Sequence, residues 1–284
     1  MVIISKLSGQ LANRLHFVAH FMANSKAHRY RLIITCFPEF NELFEPQDQF
    51  FPAIVIRDSI FRKFINRFIN NSKSVSLKLR FNIPGVVFHF IPQYDSSLNN
   101  FNIDSDDFTN LAKQKIVLPE GWIYRDFKHL KSFRKELAAY FSPKPIFKEQ
   151  VQAEIDRAKL LGSTLIGIHI RRTDYKDFNS GKWYYSNLQY RAKMLEVTSI
   201  LSNCVFILCA DEKLDASDFE DLSVIYAPRP AIVDLYLLAA CHYIMGPPST
   251  FSGWASCIGD VPAYYINDPL LPIKINSFNK FVFQ

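Results

Sequence analysis

The sequence predicts an α/β protein with two domains, each built on a parallel sheet. A strand-loop-helix-strand pattern opens the chain at residues 2–37, and beyond residue 150 apolar strand-like runs alternate regularly with helical patterns. Alternation of this kind is typical of doubly wound parallel sheets. With 284 residues, of which 49% are hydrophobic, the chain is long enough to bury one large core or two medium ones.

The composition argues against several classes of protein. The five cysteines show no paired spacing and mostly stand in apolar runs, which favours a reducing compartment such as the cytoplasm over a disulfide scaffold. No stretch approaches the length of a membrane span, and the apolar start is too short for a signal peptide. A net charge of +6 fits an anionic ligand and is not diagnostic of nucleic acid.

The amino-terminal pattern contains a polar loop that could bind an anion. A predicted strand at residues 2–7 leads into a loop with Gly9 and Asn13, followed by a helix over 15–27 and a strand over 32–37. A glycine loop before a helix offers backbone N–H groups to an anion. A structural turn explains a single glycine equally well.

Two patterns could suggest a metal site, and we interpret neither as one. His16 and His20 have the spacing of a ligand pair on a helix, but no glutamate stands between them, so we expect ordinary helix residues. The run from Asp104 to Asp107 contains an Asp-x-Asp spacing in a polar context, which indicates an exposed acidic turn or the start of a helix.

Residues 56–69 predict a basic amphipathic helix. Phe61, Phe64, Ile65 and Phe68 share one face, and four basic residues fall largely off it, namely Arg57, Arg62, Lys63 and Arg67. Such a helix either lies on an anionic membrane surface or packs its aromatic face on the core. We expect the core packing.

A domain boundary is predicted where a helical segment over 126–141 ends at Ser142-Pro143-Lys144-Pro145. The expected domains are residues 1–145 and 146–284. The second domain is predicted to contain an ordered series of elements: helix 150–161, strand 164–170, helix 185–201, strand 205–210, strand 224–226, helix 234–242, strand 243–246 and a helix capped by Ser249 that runs through Cys257.

The central candidate site follows the strand 164–170. His169 ends this apolar run, and Arg171, Arg172, Asp174 and Tyr175 come directly after it. Ligands of open α/β sheets bind outside the carboxyl ends of strands, and paired guanidinium groups suit a phosphate. The alternative is an arginine pair bridged to Asp174 on an exposed loop.

Two further groups are predicted at the same edge of the sheet. Ser249 and Thr250 follow a strand and open a helix, where hydroxyl and N–H groups can bind a phosphate. Asp234 begins the preceding helix, where its carboxylate could accept the paired N–H groups of a purine. Helix capping explains all three residues equally well.

The chain resembles the α1,2-fucosyltransferases, glycosyltransferase family eleven, and the wider superfamily that shares their central signature. That signature, His-x-Arg-Arg-x-Asp, matches His169-Ile170-Arg171-Arg172-Thr173-Asp174. The other similar segments are Ser8 to Leu15, Glu120-Gly121-Trp122 with residues 133–141, Asp234-Leu235-Tyr236-Leu237 and Ser249-Thr250-Phe251-Ser252-Gly253-Trp254. The strand ending at Ala210 lacks the family's usual Ser-Asp-Asp.

The resemblance implies a GT-B fold, with two Rossmann-like domains facing across a cleft and the nucleotide held mainly by the carboxy-terminal one. It also implies an inverting transfer of L-fucose from GDP-β-L-fucose to a glycan hydroxyl, forming an α1,2 linkage without a metal or other cofactor. The implied roles are: Arg171 on the diphosphate; Arg172 on the loop or a second oxygen; His169 and Asp234 on guanosine; Ser249 and Thr250 on phosphates; Gly9 and Asn13 on substrate. Asp174 is a candidate base, although pairing with an arginine would lower its pKa.

Two other functions stay open. One is a transferase of the same fold that uses another GDP-sugar or forms another linkage. The other is a non-catalytic protein that binds nucleotides or polyanions, suggested by the basic run over residues 57–80. We expect no nucleic-acid partner, because the arginine pair is surrounded by His and Asp rather than by stacking aromatics. The expected acceptor is a glycan, either lipid-linked or a polysaccharide, and peripheral contact with a membrane fits the first of these.

Overall fold

The computed structural model describes residues 1–37, 39–45, 50–56, 58–79, 83–91, 100–121 and 123–280. It divides the chain into two compact units, Met1–Ser142 and Pro143–Gln284. The expected boundary after residue 145 lies close to this division. Three residues singled out in the sequence, Arg57, Arg80 and Trp122, fall outside the described residues.

The first unit contains a five-stranded parallel sheet in the order β3-β2-β1-β6-β4 and a parallel pair, β5 and β7. Its strands are β1 (Val2–Ile4), β2 (Leu32–Ile34), β3 (Ala53–Val55), β4 (Val86–Phe90), β5 (Phe101–Asn102), β6 (Ile116–Glu120) and β7 (Tyr124–Arg125). Its helices are α1 (Leu11–His28), α2 (Glu39–Leu43), α3 (Ser59–Leu79), α4 (Asp106–Gln114), α5 (Phe127–Ser132) and α6 (Arg134–Tyr140).

Helix α1 is buried over most of its length, and its aromatic side chains form part of the core of this unit. Phe17 and Phe21 pack against Tyr124 with ring centroids 5.8 and 5.4 Å apart. The helix ends at Arg29, whose left-handed backbone donates its N–H to the Ser25 carbonyl. The helix is longer than the sequence pattern predicts because it begins directly after the glycine loop.

Helix α3 confirms the predicted helix but not its predicted packing. Its aromatic side chains Phe61, Phe64 and Phe68 are exposed, whereas Ile65 at the border of that face and Asn66 on another face are half-buried. The expectation that the aromatic face packs on the core is therefore wrong.

The second unit contains a five-stranded parallel sheet in the order β10-β9-β8-β11-β12. Its strands are β8 (Thr164–Ile170), β9 (Cys204–Ala210), β10 (Val224–Ile225), β11 (Tyr243–Gly246) and β12 (Ala263–Tyr265). Its helices are α7 (Pro145–Leu161), α8 (Asn187–Ile200), α9 (Ala231–Ala240) and α10 (Thr250–Gly259).

Alternating side chains of β8 face opposite sides of the sheet, as strand geometry requires. Ile166 and Ile168 pack with Met194 of α8 on one side. On the other side Gly167 lies so close to α9 that a Cβ atom there would approach the Leu238 side chain to 2.6 Å. Helices thus cover both faces of the sheet, which explains why its central strand is a continuous apolar run.

The prolines at the predicted boundary start a helix as well as ending one. Pro145 stands in the first turn of α7, where its missing N–H has no helical partner to lose. The predicted helix over 126–141 is two short helices joined at Phe133. All five cysteines are free thiols. Within the described residues, no helix is long and apolar enough to cross a bilayer.

Candidate functional site

The carboxyl ends of β8 and β11 lie at the switch point of the second sheet, where the order in which the chain adds strands reverses. The chain moves outward from β8 through β9 to β10, then returns to the other side of β8 with β11 and β12. Crossovers on either side of such a point leave the sheet in opposite directions, which opens a crevice for a ligand. Apart from Asp234, the predicted site residues of the second domain lie at the ends of these two neighbouring strands or directly after them.

Close contacts join the two strand ends. The Tyr175 hydroxyl donates to the Pro248 carbonyl at 2.5 Å, and the His169 ring stacks on Phe251 with centroids 5.0 Å apart. Gly246 permits this approach, because a Cβ atom there would lie 2.5 Å from the His169 carbonyl oxygen. The structure therefore brings the His-x-Arg-Arg segment together with the Ser249 helix start.

Arg171 is held in a fixed plane at the end of β8. Its Nε donates to Asp174 Oδ1 and its Nη2 to Asp174 Oδ2, both at 2.7 Å, while Asp211 Oδ2 lies 3.3 Å from Nε. Nη1 has no partner among the described residues. A side-on pair of this kind orients a guanidinium and leaves its remaining edge for another anion.

Asp174 pairs with Arg171 and not with Arg172. The hydrogen bonds from Arg171 are the main cause that holds the pKa of this carboxyl below its usual range. The predicted lowering of the Asp174 pKa is confirmed. A carboxylate that stays ionised in this way is a weak acceptor for the proton of an acceptor hydroxyl.

Arg172 points the other way, into the interior. Its three guanidinium nitrogens donate to the Tyr185 carbonyl at 3.0 Å, to Glu212 Oε1 at 2.8 Å and to Asn187 Oδ1. The guanidinium also lies 5.9 Å from the ring centroid of Tyr190. These contacts favour the bracing role over direct contact with a second phosphate oxygen.

Sequence reasoning missed Asp211, which organises the backbone of the arginine loop. Its Oδ1 accepts from the Arg172 N–H at 2.9 Å, and its Oδ2 accepts from the Thr173 N–H and hydroxyl at 3.2 and 2.7 Å. Asp211 and Glu212 directly follow β9, the strand beside β8. Their position at a strand end was the signal that could have revealed them.

His169 is buried and neutral. Burial is the main cause that lowers its pKa to about 3, and the positive charge of Arg171 adds to the effect. Nδ1 has no hydrogen-bond partner among the described residues. A buried ring nitrogen without a partner is costly unless a bound molecule supplies one.

Asp234 is a buried member of an ion pair in the first turn of α9, whose N-cap is Pro230. Its Oδ1 accepts from Arg229 Nε at 2.8 Å, and Arg229 Nη2 donates to the Leu208 carbonyl at 2.5 Å. Burial raises the pKa of Asp234 to about 6 although Arg229 opposes the shift. The helix begins three residues before the predicted start at Asp234, and the capping alternative for Asp234 does not apply.

Ser249 and Thr250 open helix α10 as predicted. Ser249 is the N-cap, and its hydroxyl accepts from the Phe251 N–H at 3.2 Å. The first turn of a helix carries N–H groups without helical partners and the positive end of the helix dipole. Capping and anion binding are compatible here, because one cap hydroxyl satisfies only one of these donors.

In the first unit, Gly9 and Asn13 lie at the corresponding point of their own sheet, after the central strand β1. Gly9 has a φ of +75°, and a Cβ atom there would lie 2.3 Å from Asn13 Nδ2. The Gly9 carbonyl accepts from Arg14 Nε at 2.9 Å. The loop thus requires a glycine, as a structural turn and an anion-binding loop both would.

The two patterns that could have suggested a metal site both lie within the part of the chain that the structure describes. His16 and His20 are buried helix residues, and His20 Nδ1 accepts from the Asp126 N–H at 2.9 Å. Ser105 caps α4, which confirms the helix start. Asp104, however, joins His28, Asp126 and His129 in a cluster whose ligand atoms lie within 4.8 Å of one another. Lys128 contacts Asp104 at 3.3 Å, so one of these oxygens already has a cationic partner.

No protein-family model and no curated protein sequence matches this chain. Solved fucosyltransferase structures do match in fold. NodZ from Bradyrhizobium is 15% identical, with a TM-score of 0.59, over 95% of this chain and 96% of NodZ. An arginine-to-lysine mutant of Arabidopsis thaliana FUT1 in complex with GDP is 14% identical, with a TM-score of 0.62, over 98% of this chain and 73% of FUT1.

A third similar structure is POFUT1 in complex with GDP-fucose, at 12% identity and a TM-score of 0.57, over 92% of this chain and 94% of POFUT1. NodZ is an α1,6-fucosyltransferase that has been soaked with GDP-fucose. These likenesses do not single out the α1,2-fucosyltransferases. They confirm the predicted fold class: the chain has the α/β, GT-B-like fold of these fucosyltransferases, with Rossmann-like sheets.

Proposed function

We propose that this chain is an inverting fucosyltransferase that moves L-fucose from GDP-β-L-fucose to a hydroxyl of a glycan. The observation that carries the proposal is the open edge of Arg171. Its guanidinium is fixed by Asp174 at the carboxyl end of β8, and its Nη1 is left without a partner among the described residues. The fold that contains this arrangement is shared with enzymes solved in complex with GDP and GDP-fucose.

A diphosphate fits this edge of the sheet. Arg171 supplies a permanent positive charge and directed donors, and the start of α10 supplies backbone N–H groups beside Ser249 and Thr250. The loops that carry these groups are joined by the hydrogen bond from the Tyr175 hydroxyl to the Pro248 carbonyl. The donors are therefore positioned before the ligand arrives, which limits the cost of ordering them on binding.

Fucosyl transfer needs such charge at the leaving group. The bond from the anomeric carbon to the β-phosphate oxygen breaks as the acceptor oxygen bonds to the opposite face of the sugar. The electron pair stays on the diphosphate, and the proton of the acceptor hydroxyl passes to the surrounding water. Arg171 would stabilise the negative charge that grows on the departing oxygen, the role of a preorganised electrostatic group. We propose that no metal is required for this step.

We further propose that His169 and Asp234 contact the guanosine. The partnerless Nδ1 of His169 supports a polar contact with the nucleotide. A carboxylate suits the paired N–H groups of guanine, and Arg229 holds the Asp234 carboxylate in place by donating to its Oδ1. Arg172 would act through the loop that it braces, and Asp211 would position that loop.

We assign acceptor binding to the Met1–Ser142 unit. It contains Gly9 and Asn13, which belong to the segment that resembles the substrate-binding amino-terminal segment of the α1,2-fucosyltransferases. The acceptor would be a glycan, lipid-linked or a polysaccharide. On the motif resemblance we propose an α1,2 linkage, which product analysis distinguishes from the α1,6 linkage made by NodZ. Asp174 is unsuited as the base because of its lowered pKa.

Calorimetric titration with GDP, UDP and CMP and their sugars tests the nucleotide. We expect GDP and GDP-fucose to bind most tightly among these ligands. The Arg171→Lys variant should turn over GDP-fucose more slowly than the unmodified chain. Incubation with GDP-fucose and a panel of glycans, followed by NMR of the product, should show an α-linked fucoside. Preference for UDP or CMP, or GDP binding without transfer to any glycan or to water, would reject the proposed function.

A further inference from the structure

Helix α3 carries an exposed apolar surface that has no part in the proposed reaction. Ile60, Phe61, Phe64 and Phe68 are 79, 53, 67 and 66% exposed. They follow one another at intervals of one, three and four residues, so they form one continuous apolar stripe along the helix. Large apolar side chains that are exposed together, rather than singly, mark an interaction surface.

The helix is fixed to its own unit by a different face. Asn66 donates to the Thr35 carbonyl at 3.1 Å and accepts from the Thr35 hydroxyl at 2.5 Å, which ties the helix to the end of β2. About two turns later, Lys73 forms an ion pair with Glu120. These polar contacts set the rotation of the helix and direct the aromatic stripe outward.

The charged residues of α3 itself are all basic, and the acidic Asp58 lies just before the helix, where it accepts from the Phe61 N–H at 2.7 Å. The α3 sequence contains five basic residues and no acidic one, and Lys63 and Arg67 are exposed beside the aromatic side chains. A helix with aromatic residues on one face and Lys or Arg at the border is suited to the boundary between anionic headgroups and acyl chains. A protein partner would instead have to supply an apolar groove of matching shape with acidic edges.

We propose that α3 is a membrane-docking helix, which inserts Phe61, Phe64 and Phe68 into an anionic lipid surface while Lys63 and Arg67 contact the headgroups. The contact is peripheral. The proposal stands on the α3 surface alone and does not depend on which sugar the protein transfers. If the acceptor is lipid-linked, docking would bring the enzyme to the surface that carries it.

The test is co-sedimentation with vesicles of phosphatidylcholine alone and of phosphatidylcholine and phosphatidylglycerol in equal parts. We expect binding to the anionic vesicles at low ionic strength and release by salt, because mobile ions screen the charge attraction. Lys63→Gln with Arg67→Gln should reduce the partition coefficient about thirtyfold, given the attraction of about 1 kcal/mol that each basic residue feels near such a surface.

A triple variant tests the aromatic stripe. Phe61→Ser, Phe64→Ser and Phe68→Ser together should abolish vesicle binding while leaving GDP affinity unchanged, because these side chains are exposed. The matched control replaces equally exposed leucines elsewhere, Leu160→Ser, Leu188→Ser and Leu270→Ser, which are 87, 72 and 88% exposed. This control should bind vesicles like the unmodified protein.

Three results would overturn the proposal: no binding to anionic vesicles at low ionic strength, equal binding by the triple variant, or a dimer in lipid-free sedimentation velocity that the triple variant converts to monomer. The last would make the stripe an interface between two copies of the chain. Because GDP affinity is measured on the same samples, failure of docking is distinguishable from failure of the proposed transferase activity.

Discussion

Arg171 and Asp174 meet side-on, with Nε and Nη2 of the guanidinium donating to the two carboxylate oxygens at 2.7 Å. They are three positions apart in the sequence, so the pair closes a single turn of the loop after β8. The geometry fixes the plane of the guanidinium before any ligand binds. It also gives Asp174 a positioning role, because its oxygens are engaged and its pKa is lowered by Arg171.

The first prediction concerns Arg171→Lys. Lysine keeps the charge, but one ammonium group cannot bridge both Asp174 oxygens and also direct a donor at a diphosphate. We expect turnover of GDP-fucose to fall on the order of a hundred- to a thousand-fold, as for loss of one preorganised donor, with a smaller change in GDP affinity. Steady-state kinetics and calorimetry on the same preparation separate the two effects.

The control for that variant is Arg157→Lys on α7, where the side chain is 61% exposed and contacts Glu154 only at 3.9 Å. It should leave turnover and GDP affinity unchanged. A loss of GDP affinity with turnover intact in Arg171→Lys would make Arg171 a binding residue without a special role in the transition state. Near-normal values for both would contradict the assignment altogether.

The second prediction is that Arg172→Lys mainly destabilises the fold. Lysine can still reach Glu212, but it cannot also serve the Tyr185 carbonyl and the Asn187 amide oxygen, so buried acceptors lose their donors. The expected loss is about 1–3 kcal/mol of unfolding free energy, measured by urea titration. Arg191→Lys is the matched control, because Arg191 makes a similar forked pair with Asp221 at the surface and should change stability little. Unchanged stability with lost turnover would instead place Arg172 in the chemistry.

The strands at the centre of the second sheet could be predicted to the residue. Thr164–Ile170 and Tyr243–Gly246 are buried on both faces, so each is a short apolar run with polar residues or prolines at its end. The rule that ligands bind at such strand ends then places His169 and Ser249 near each other without any contact being known. The hydrogen bond from the Tyr175 hydroxyl to the Pro248 carbonyl joins the two strand ends, and the rule could not predict this contact.

What could not be predicted depends on side-chain rotamers and distant partners. Adjacent arginines point in opposite directions, and nothing in their spacing says which one takes Asp174. The partners of Arg172 come from residues more than ten positions away. For α3, periodicity shows that an apolar face exists but not what covers it, and the contact of Asn66 with Thr35 decides the orientation.

The third prediction is a pH dependence of stability that comes from His169. Its pKa is lowered from 6.5 to about 3 in the folded chain, so the unfolded chain binds the additional proton between these values. Its contribution to stability is therefore complete above pH 6.5 and is lost as the pH falls towards 3. The slope is at most about 1.4 kcal/mol per pH unit. Urea titrations from pH 7 to 4 should show this slope in the difference between the unmodified chain and His169→Gln. Parallel curves would show that His169 titrates normally.

The fourth prediction is that metal removal leaves the donor site intact. Arg171 supplies the charge that a cation would otherwise bring, so EDTA should change neither GDP affinity nor turnover. If Zn²⁺ binds the cluster of His28, Asp104, Asp126 and His129, it should instead raise the melting temperature, and His129→Asn should remove that shift. Loss of GDP binding in EDTA would show that the donor site needs a cation after all.

The last prediction separates two roles of Asp234. If the Asp234 carboxylate accepts the N–H groups of guanine, GDP should bind about tenfold or more tightly than inosine diphosphate, which lacks the 2-amino group. Asp234→Asn should reduce this preference, whereas Arg229→Lys, which keeps the Asp234 carboxylate but loses the forked contacts of Arg229 with Asp234 and the Leu208 carbonyl, should keep it. Burial raises the Asp234 pKa to about 6, and the contact needs the ionised carboxylate. GDP affinity should therefore weaken as the pH falls below 6, while inosine diphosphate, with one contact fewer, should respond less.

Calorimetry with both nucleotides at pH 5 and 8 measures all of these effects. Equal affinity for the two nucleotides in the unmodified chain, or the same loss of preference in both variants, would restrict Asp234 to holding Arg229 in place.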